Sequence, residues 1–70
     1  MVNTAKLRGK MAERGYTVRS LSKVIGIHEQ TMSVKLGDGK FSVGEAYKMA
    51  DALCMSSDEI VDIFFADSVT

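Results

Sequence analysis

The sequence has 70 residues, equal numbers of basic and acidic side chains, and a single cysteine, Cys54. A chain of this length allows one domain, which we place at residues 1–70, with one modest core. A single cysteine cannot form an internal disulfide. Cys54 and His28 together are too few soft ligands for a four-ligand zinc site, and we expect neither metal nor cofactor. No apolar run approaches the roughly 20 residues that cross a bilayer, and the N-terminus lacks a signal-peptide pattern, which predicts a cytoplasmic protein without membrane contact.

Two predicted helices open the chain, separated by a glycine. The first covers about residues 4–14, with Asn3 or the following residue as its cap, and Gly15 ends it in a left-handed conformation. Thr17 caps the second helix, and Gly26 ends it. The side chains expected to face inward recur at helical spacing: Leu7, Met11, Val18, Leu21, Val24 and Ile25.

A third helix is predicted over about residues 29–36, with Met32 and Leu36 facing inward. The Gly-Asp-Gly sequence at 37–39 is expected to break the chain there.

The last two helices carry the clearest start signals, because both fit the S/T-x-x-E capping box. Ser42 and Glu45 form the first box, and Ser56 and Glu59 form the second. The fourth helix is expected to bury Ala46, Met49, Ala50 and Leu53, and the fifth covers about residues 57–65. No alternating run of β-branched residues competes, so the prediction is an all-α fold of five helices.

The joint between the second and third helices has the composition of a helix-turn-helix. That motif needs a small residue where the helices cross, a glycine in the turn and apolar residues on both sides of the turn. Ser22, Gly26, Ile25 and Ile27 meet these needs in order. We therefore predict a helix-turn-helix over about residues 17–37, with the N-terminal part of its second helix exposed.

Charge is distributed unevenly although the net charge is zero. Residues 1–40 hold eight basic and three acidic side chains, and residues 41–70 hold one basic and six acidic. Such asymmetry is typical of a protein with one side facing a polyanion and the other facing water or protein. A chance split in a short sequence is the alternative interpretation.

Over about residues 6–65 the chain resembles the Cro/CI-type, or XRE-like, helix-turn-helix proteins of phages and bacteria. The matching motifs are Leu21-Ser22, Gly26-Ile27, Thr31-Met32-Ser33 and Ala50-Asp51-Ala52-Leu53. Three further segments are similar to small phage Cro-type proteins: residues 6–10, Val34-Lys35-Leu36 and residues 58–65. The resemblance implies a five-helix, lambda-repressor-like DNA-binding domain.

The resemblance also implies a site. The third helix would enter the major groove of double-stranded operator DNA, where Gln30 would bond to adenine and Glu29 would accept from cytosine. Val34 or the Thr31 methyl would touch thymine methyl groups. The residues expected to hold phosphates are Thr17, Arg19, Ser33, Lys35 and Lys40.

Two positions depart from the family's pattern. Val18 stands where the family often has a glutamine that supports both phosphate and recognition helix, and a valine cannot hydrogen-bond. His28 stands where a serine or threonine usually caps the recognition helix, which predicts a weak or pH-sensitive cap.

The last predicted helix has apolar residues on more than one face, so closing the core would leave an exposed apolar patch. The family's two-fold operators are read by dimers. We therefore expect a homodimer whose interface includes Ile63, Phe64 and Phe65.

The function expected from these observations is sequence-specific transcriptional regulation by a phage or prophage Cro-like repressor that occludes promoter DNA. The alternative is a protein-interaction module of the same fold, an antirepressor or antitoxin that binds a partner repressor or toxin through its acidic, apolar C-terminal half. The zero net charge and Val18 favour this alternative. An enzyme is not expected, because no serine, cysteine or carboxylate lies at triad spacing from His28.

Overall fold

The computed structural model describes residues 2–65, which form five α-helices and contain no β-strand. The helices are α1 (Thr4–Glu13), α2 (Val18–Ile25), α3 (Glu29–Asp38), α4 (Val43–Ala52) and α5 (Ser57–Phe64). The all-α prediction is confirmed, and α2 packs against both α3 and α4 while α1 packs against α5. None of the described helices is long and apolar enough to cross a bilayer.

Side chains fix the starts of four helices. Asn3 caps α1 by accepting a hydrogen bond from the Lys6 amide at 3.1 Å. Both predicted capping boxes are present, joining Ser42 to Glu45 and Ser56 to Glu59. Thr17 and Ser20 form a third box at α2, in which each side chain accepts from the other residue's amide. The S/T-x-x-E pattern does not reveal this box, because its second member is a serine.

Glycines end the first three helices, with one difference from the sequence prediction. Gly15 and Gly26 take left-handed conformations, as predicted. Helix α3, however, continues through Gly37 to Asp38, and only Gly39 is left-handed, with φ of 72°. A glycine inside a helix costs only about 1 kcal/mol relative to alanine, so it does not by itself end a helix whose last turns are held by packing.

The core contains nearly all of the side chains predicted to face inward. Those that are buried as predicted are Leu7, Met11, Leu21, Ile25, Met32, Leu36, Ala46, Met49, Ala50 and Leu53. The exceptions are Val18, which is half-buried against the core, and Val24, whose side chain is 53% exposed. Ser22 on α2 is buried instead. Its side chain is 2% exposed, and its hydroxyl donates to the Arg19 carbonyl. A small residue is buried there because helices cross closely at that point.

The structure buries two of the residues expected in the exposed apolar patch of the last helix. Ile63 and Phe64 are each only 5% exposed, because they close the core of the chain itself. The Asn3 amide donates to the Ile63 carbonyl at 2.7 Å and ties the start of α1 to the end of α5. Their inclusion in a dimer interface is therefore corrected: Phe65 and Val61 are the exposed apolar side chains at this end.

Ion pairs connect the basic first part of the chain to its acidic last part. Lys6 pairs with Asp62 at 2.5 Å, and the buried Lys10 pairs with Glu59. These two pairs, here called the α1–α5 clasp, join residues far apart in sequence. Part of the charge asymmetry therefore holds the fold together.

Candidate nucleic-acid interface

Helix α3 is buried along one side and exposed along the other. Met32 and Leu36 lie in the core at 0% and 2% exposure. At about 100° per residue, Gln30 and Val34 fall opposite this buried side, and both are exposed. The other exposed side chains of the helix's first two turns are Glu29, Thr31 and Ser33. Every base-reading residue proposed from the sequence is thus exposed on α3.

The first turn of α3 has no side-chain cap. His28 occupies the N-cap position in an extended conformation, and its side chain accepts no amide hydrogen bond. The sequence predicted a weak or pH-sensitive cap here, and the missing side-chain bond leaves the amides at this helix end to solvent or to an anionic ligand. Glu29 lies in the same turn, where a negative charge is favourable for the helix dipole.

The start of α2 presents two of the residues expected to hold phosphates. Thr17 is exposed, and its Oγ1 already accepts from the Ser20 amide at 3.0 Å. The Thr17 hydroxyl also donates to Ser20 Oγ at 3.3 Å, a long hydrogen bond within the cap. Arg19 is exposed in the first turn of α2 and forms no ion pair within residues 2–65. Val18 is half-buried against the core.

The two lysines expected to hold phosphates differ in their surroundings. Lys40 is exposed in the turn between α3 and α4. Lys35, in contrast, lies 3.2 Å from Glu45 and donates to the Lys40 carbonyl at 3.3 Å. Burial alone would raise the pKa of Glu45, but hydrogen bonds from the Ser42 amide and from Lys35 outweigh it and lower that pKa. Lys35 is thus engaged by the chain itself.

Several other basic side chains are also exposed on the surface. In the described residues Arg8, Arg14, Arg19, Lys23, Lys40 and Lys48 are exposed and unpaired with any described carboxylate. All but Lys48 belong to the first 40 residues. A basic excess therefore survives the internal pairing.

The comparison with protein families decides what this arrangement belongs to. A family model described as the Cro/C1-type helix-turn-helix DNA-binding domain matches residues 6–65. The chain belongs to this family. Neither a curated protein nor a solved structure gives a match. The match begins two residues into α1 and includes the rest of that helix and the other four, with the α2–α3 motif among them. The Cro/C1-type domain and the described fold therefore coincide.

Membership in the Cro/C1-type family makes the chain a DNA-binding domain, with the helix-turn-helix at α2 and α3. No group of three potential metal ligands occurs in the part of the chain that the structure describes. The sequence did not reveal two contacts of these Cro/C1-type elements, the Thr17–Ser20 capping box and the Lys35–Glu45 ion pair. Ser20 is recognisable only once Thr17 is known to be a cap, and nothing local in the sequence pairs Glu45 with a lysine ten residues earlier.

Proposed function

We propose that the chain is a sequence-specific transcriptional regulator, a Cro-like repressor of a phage or prophage that acts on operator DNA in the bacterial cytoplasm. The observation that carries the proposal is the exposed surface of α3, where Gln30 and Val34 stand directly opposite the buried stripe. An amide side chain and an exposed apolar one are the groups that read adenine and thymine in the major groove. Repression would follow from occlusion of the promoter.

In this proposal the DNA contacts fall into two kinds. Glu29, Gln30, Thr31 and Val34 read base edges, and Thr17, Arg19, Ser33 and Lys40 hold phosphates. Phosphate contacts fix the register of the helix on the duplex, while base contacts carry specificity. The unpaired basic side chains of the first 40 residues supply the salt-dependent part of the affinity.

Operator selection tests the proposal. The wild-type chain is used to enrich duplexes from a random-sequence pool, and binding is then measured over a range of salt concentrations. We expect one enriched sequence whose affinity falls steeply with salt. Gln30→Ala is expected to relax preference at one base pair, at a cost of about 1–3 kcal/mol. Lys40→Met is the matched control, because losing a phosphate contact weakens all sequences alike. Failure to enrich any sequence, even at low salt, contradicts the proposal.

We further propose that the protein binds as a homodimer through the end of α5. Val61 on α5 is 41% exposed and Phe65, which follows the helix as its C-cap, is 37% exposed, and exposed apolar side chains commonly mark an interface. Analytical ultracentrifugation is expected to show a dimer that Phe65→Ser weakens, while Val43→Ser, at an exposed valine on α4, leaves it intact. A monomer at all concentrations, with unchanged DNA affinity for Phe65→Ser, excludes this interface.

One observation favours the second candidate, a module that binds a partner repressor or toxin. An open groove of about 410 Å³ lies between α4 and α5, lined by Tyr47, Ala50, Asp51, Cys54, Met55 and Ile60. It combines apolar walls with a carboxylate and belongs to the acidic part of the chain. If this candidate is correct, Tyr47→Ala abolishes binding of the partner repressor or toxin, and Gln30→Ala has no effect on that binding.

A further inference from the structure

Lys35 joins three parts of the chain around the turn between α3 and α4. Its ammonium nitrogen lies 3.2 Å from Glu45 Oε1 and donates to the Lys40 carbonyl at 3.3 Å. The same Glu45 oxygen accepts from the Ser42 backbone amide at 2.8 Å. One lysine on α3 thereby contacts the turn and, through Glu45, the first turn of α4.

This contact is sheltered from solvent more than an ordinary surface ion pair is. The Lys35 side chain is 26% exposed and the Glu45 side chain 17% exposed. Partly buried pairs are screened less by salt than exposed ones, and breaking one leaves the partner charge unpaired. On the other side of the turn, the Lys40 amide donates to Asp38 Oδ1 at 2.9 Å. The backbone of the turn is therefore anchored from both helices.

The position of this anchor determines what it can do. Lys40, the exposed lysine proposed to hold a phosphate, is in the anchored turn, and Lys35 directly follows the exposed Val34 in α3. An ammonium that already neutralises a carboxylate is not free to neutralise a phosphate and so release the counterions condensed on the DNA. Direct phosphate binding by Lys35 would require it to leave both.

We propose that Lys35 is a positioning residue, which acts through Glu45 to hold residues 39–42 and the start of α4 beside the recognition helix. It is not a phosphate contact. The inference rests on the proposed DNA-binding function, because the anchored turn presents Lys40 to the phosphate backbone.

A double-mutant cycle tests the proposal with Lys35→Met, Glu45→Gln and the double variant. Glutamine keeps the capping-box acceptor but removes the charge. The probe is the duplex that the wild-type chain enriches from a random-sequence pool. We expect each single variant to weaken binding roughly threefold to tenfold and the double variant to lose no more than either, because contacting residues are not additive. The slope of affinity against salt is expected to stay at the wild-type value, and Lys35→Arg is expected to bind like the wild type.

A phosphate contact gives a different pattern. In that case Lys35→Met lowers the salt slope by about one, and Glu45→Gln strengthens binding because it releases the lysine. Either result overturns the proposal. Lys40→Met is the control that should lower the slope, and Lys48→Met, at an exposed lysine on α4, is the control that should change nothing.

A measurement without DNA distinguishes failure of this inference from failure of the proposed function. Amide hydrogen exchange is followed by NMR in wild type and Lys35→Met. We expect faster exchange at Lys40 and Ser42, with the Asn3 and Leu7 amides unchanged. Equal exchange at Lys40 and Ser42 in the two proteins overturns the inference, whether or not any duplex binds. If exchange rises at these amides but the wild type enriches no duplex, the proposed function fails and the anchor stands.

Discussion

Cys54 is the residue whose backbone conformation is least suited to its side chain. It follows α4 with φ of 52°, in the left-handed region, and its amide donates to the Asp51 carbonyl. The Met55 amide donates to the Ala50 carbonyl, which completes a turn of the kind that usually carries glycine. The left-handed conformation costs an L-residue roughly 1–2 kcal/mol.

Cys54→Gly is therefore expected to stabilise the chain. Glycine relieves the left-handed strain but loses more conformational freedom on folding, which leaves a net gain of about 0.5–1 kcal/mol. Little packing is lost, because the cysteine is exposed. Urea unfolding measures the change, with Cys54→Ala as a control that keeps the β-carbon and should show no gain. An unchanged midpoint for Cys54→Gly contradicts the assignment of strain.

At the scale of elements, the sequence predicted helix boundaries better than it predicted which side of each helix is buried. Capping boxes and the glycines after α1 and α2 are local signals, because the residues that interact are three or four apart. Val24 fits the apolar spacing of α2 but is exposed, while the small Ser22, which the helix-turn-helix pattern placed at a helix contact, is buried. That choice depends on a neighbouring helix, which a spacing argument does not include.

Because Ser22 is buried and Val24 is exposed, these two positions give a matched pair of substitutions on α2. Ser22→Val is expected to cost about 1–3 kcal/mol, because it overfills a close helix crossing. Val24→Ser is expected to stay within about 0.5 kcal/mol of wild type, because the position is exposed. Both are measured by urea unfolding. A large loss for Val24→Ser would mean that Val24 belongs to the core, as the spacing alone suggests.

The α1–α5 clasp was also beyond sequence prediction, because its partners lie at opposite ends of the chain. Lys10 is the buried member, and its partner Glu59 also caps α5. The hydrogen bond from Lys10, with help from the Ser56 amide, lowers the pKa of Glu59 from 4.5 to about 2. The same contact raises the pKa of Lys10.

Because the folded chain lowers the pKa of Glu59, the Lys10–Glu59 pair stabilises the fold fully above about pH 4.5 and loses this contribution as the pH falls toward 2. We expect the free energy of unfolding to fall through this window in the wild type and to fall less in Glu59→Gln, which keeps the capping box. Asp58→Asn, at an exposed neighbour, should retain the wild-type profile. Unfolding followed by circular dichroism at several pH values measures this. Identical profiles for wild type and Glu59→Gln would show that the Lys10–Glu59 pair contributes nothing.

At the scale of the whole molecule, the charge asymmetry has two uses. Three lysines of the first 40 residues pair with carboxylates of the last 30, at Lys6, Lys10 and Lys35. The exposed basic side chains that remain are concentrated in the first part of the chain, which contains the helix-turn-helix. The sequence predicted a polyanion-facing part but could not divide the lysines between folding and binding, because ion pairing across the chain depends on how α1, α3, α4 and α5 are placed.

The central claim is that the exposed side of α3 reads DNA while the groove between α4 and α5 does not. Backbone amide chemical shifts, recorded during titration with the enriched duplex, test it most directly. We expect the largest changes at Gln30, Ser33 and residues 39–42, with further changes at the start of α2 and small ones at Tyr47 and Met55. Changes confined to Tyr47, Met55 and their neighbours, with the amides of α3 unmoved, would contradict the claim.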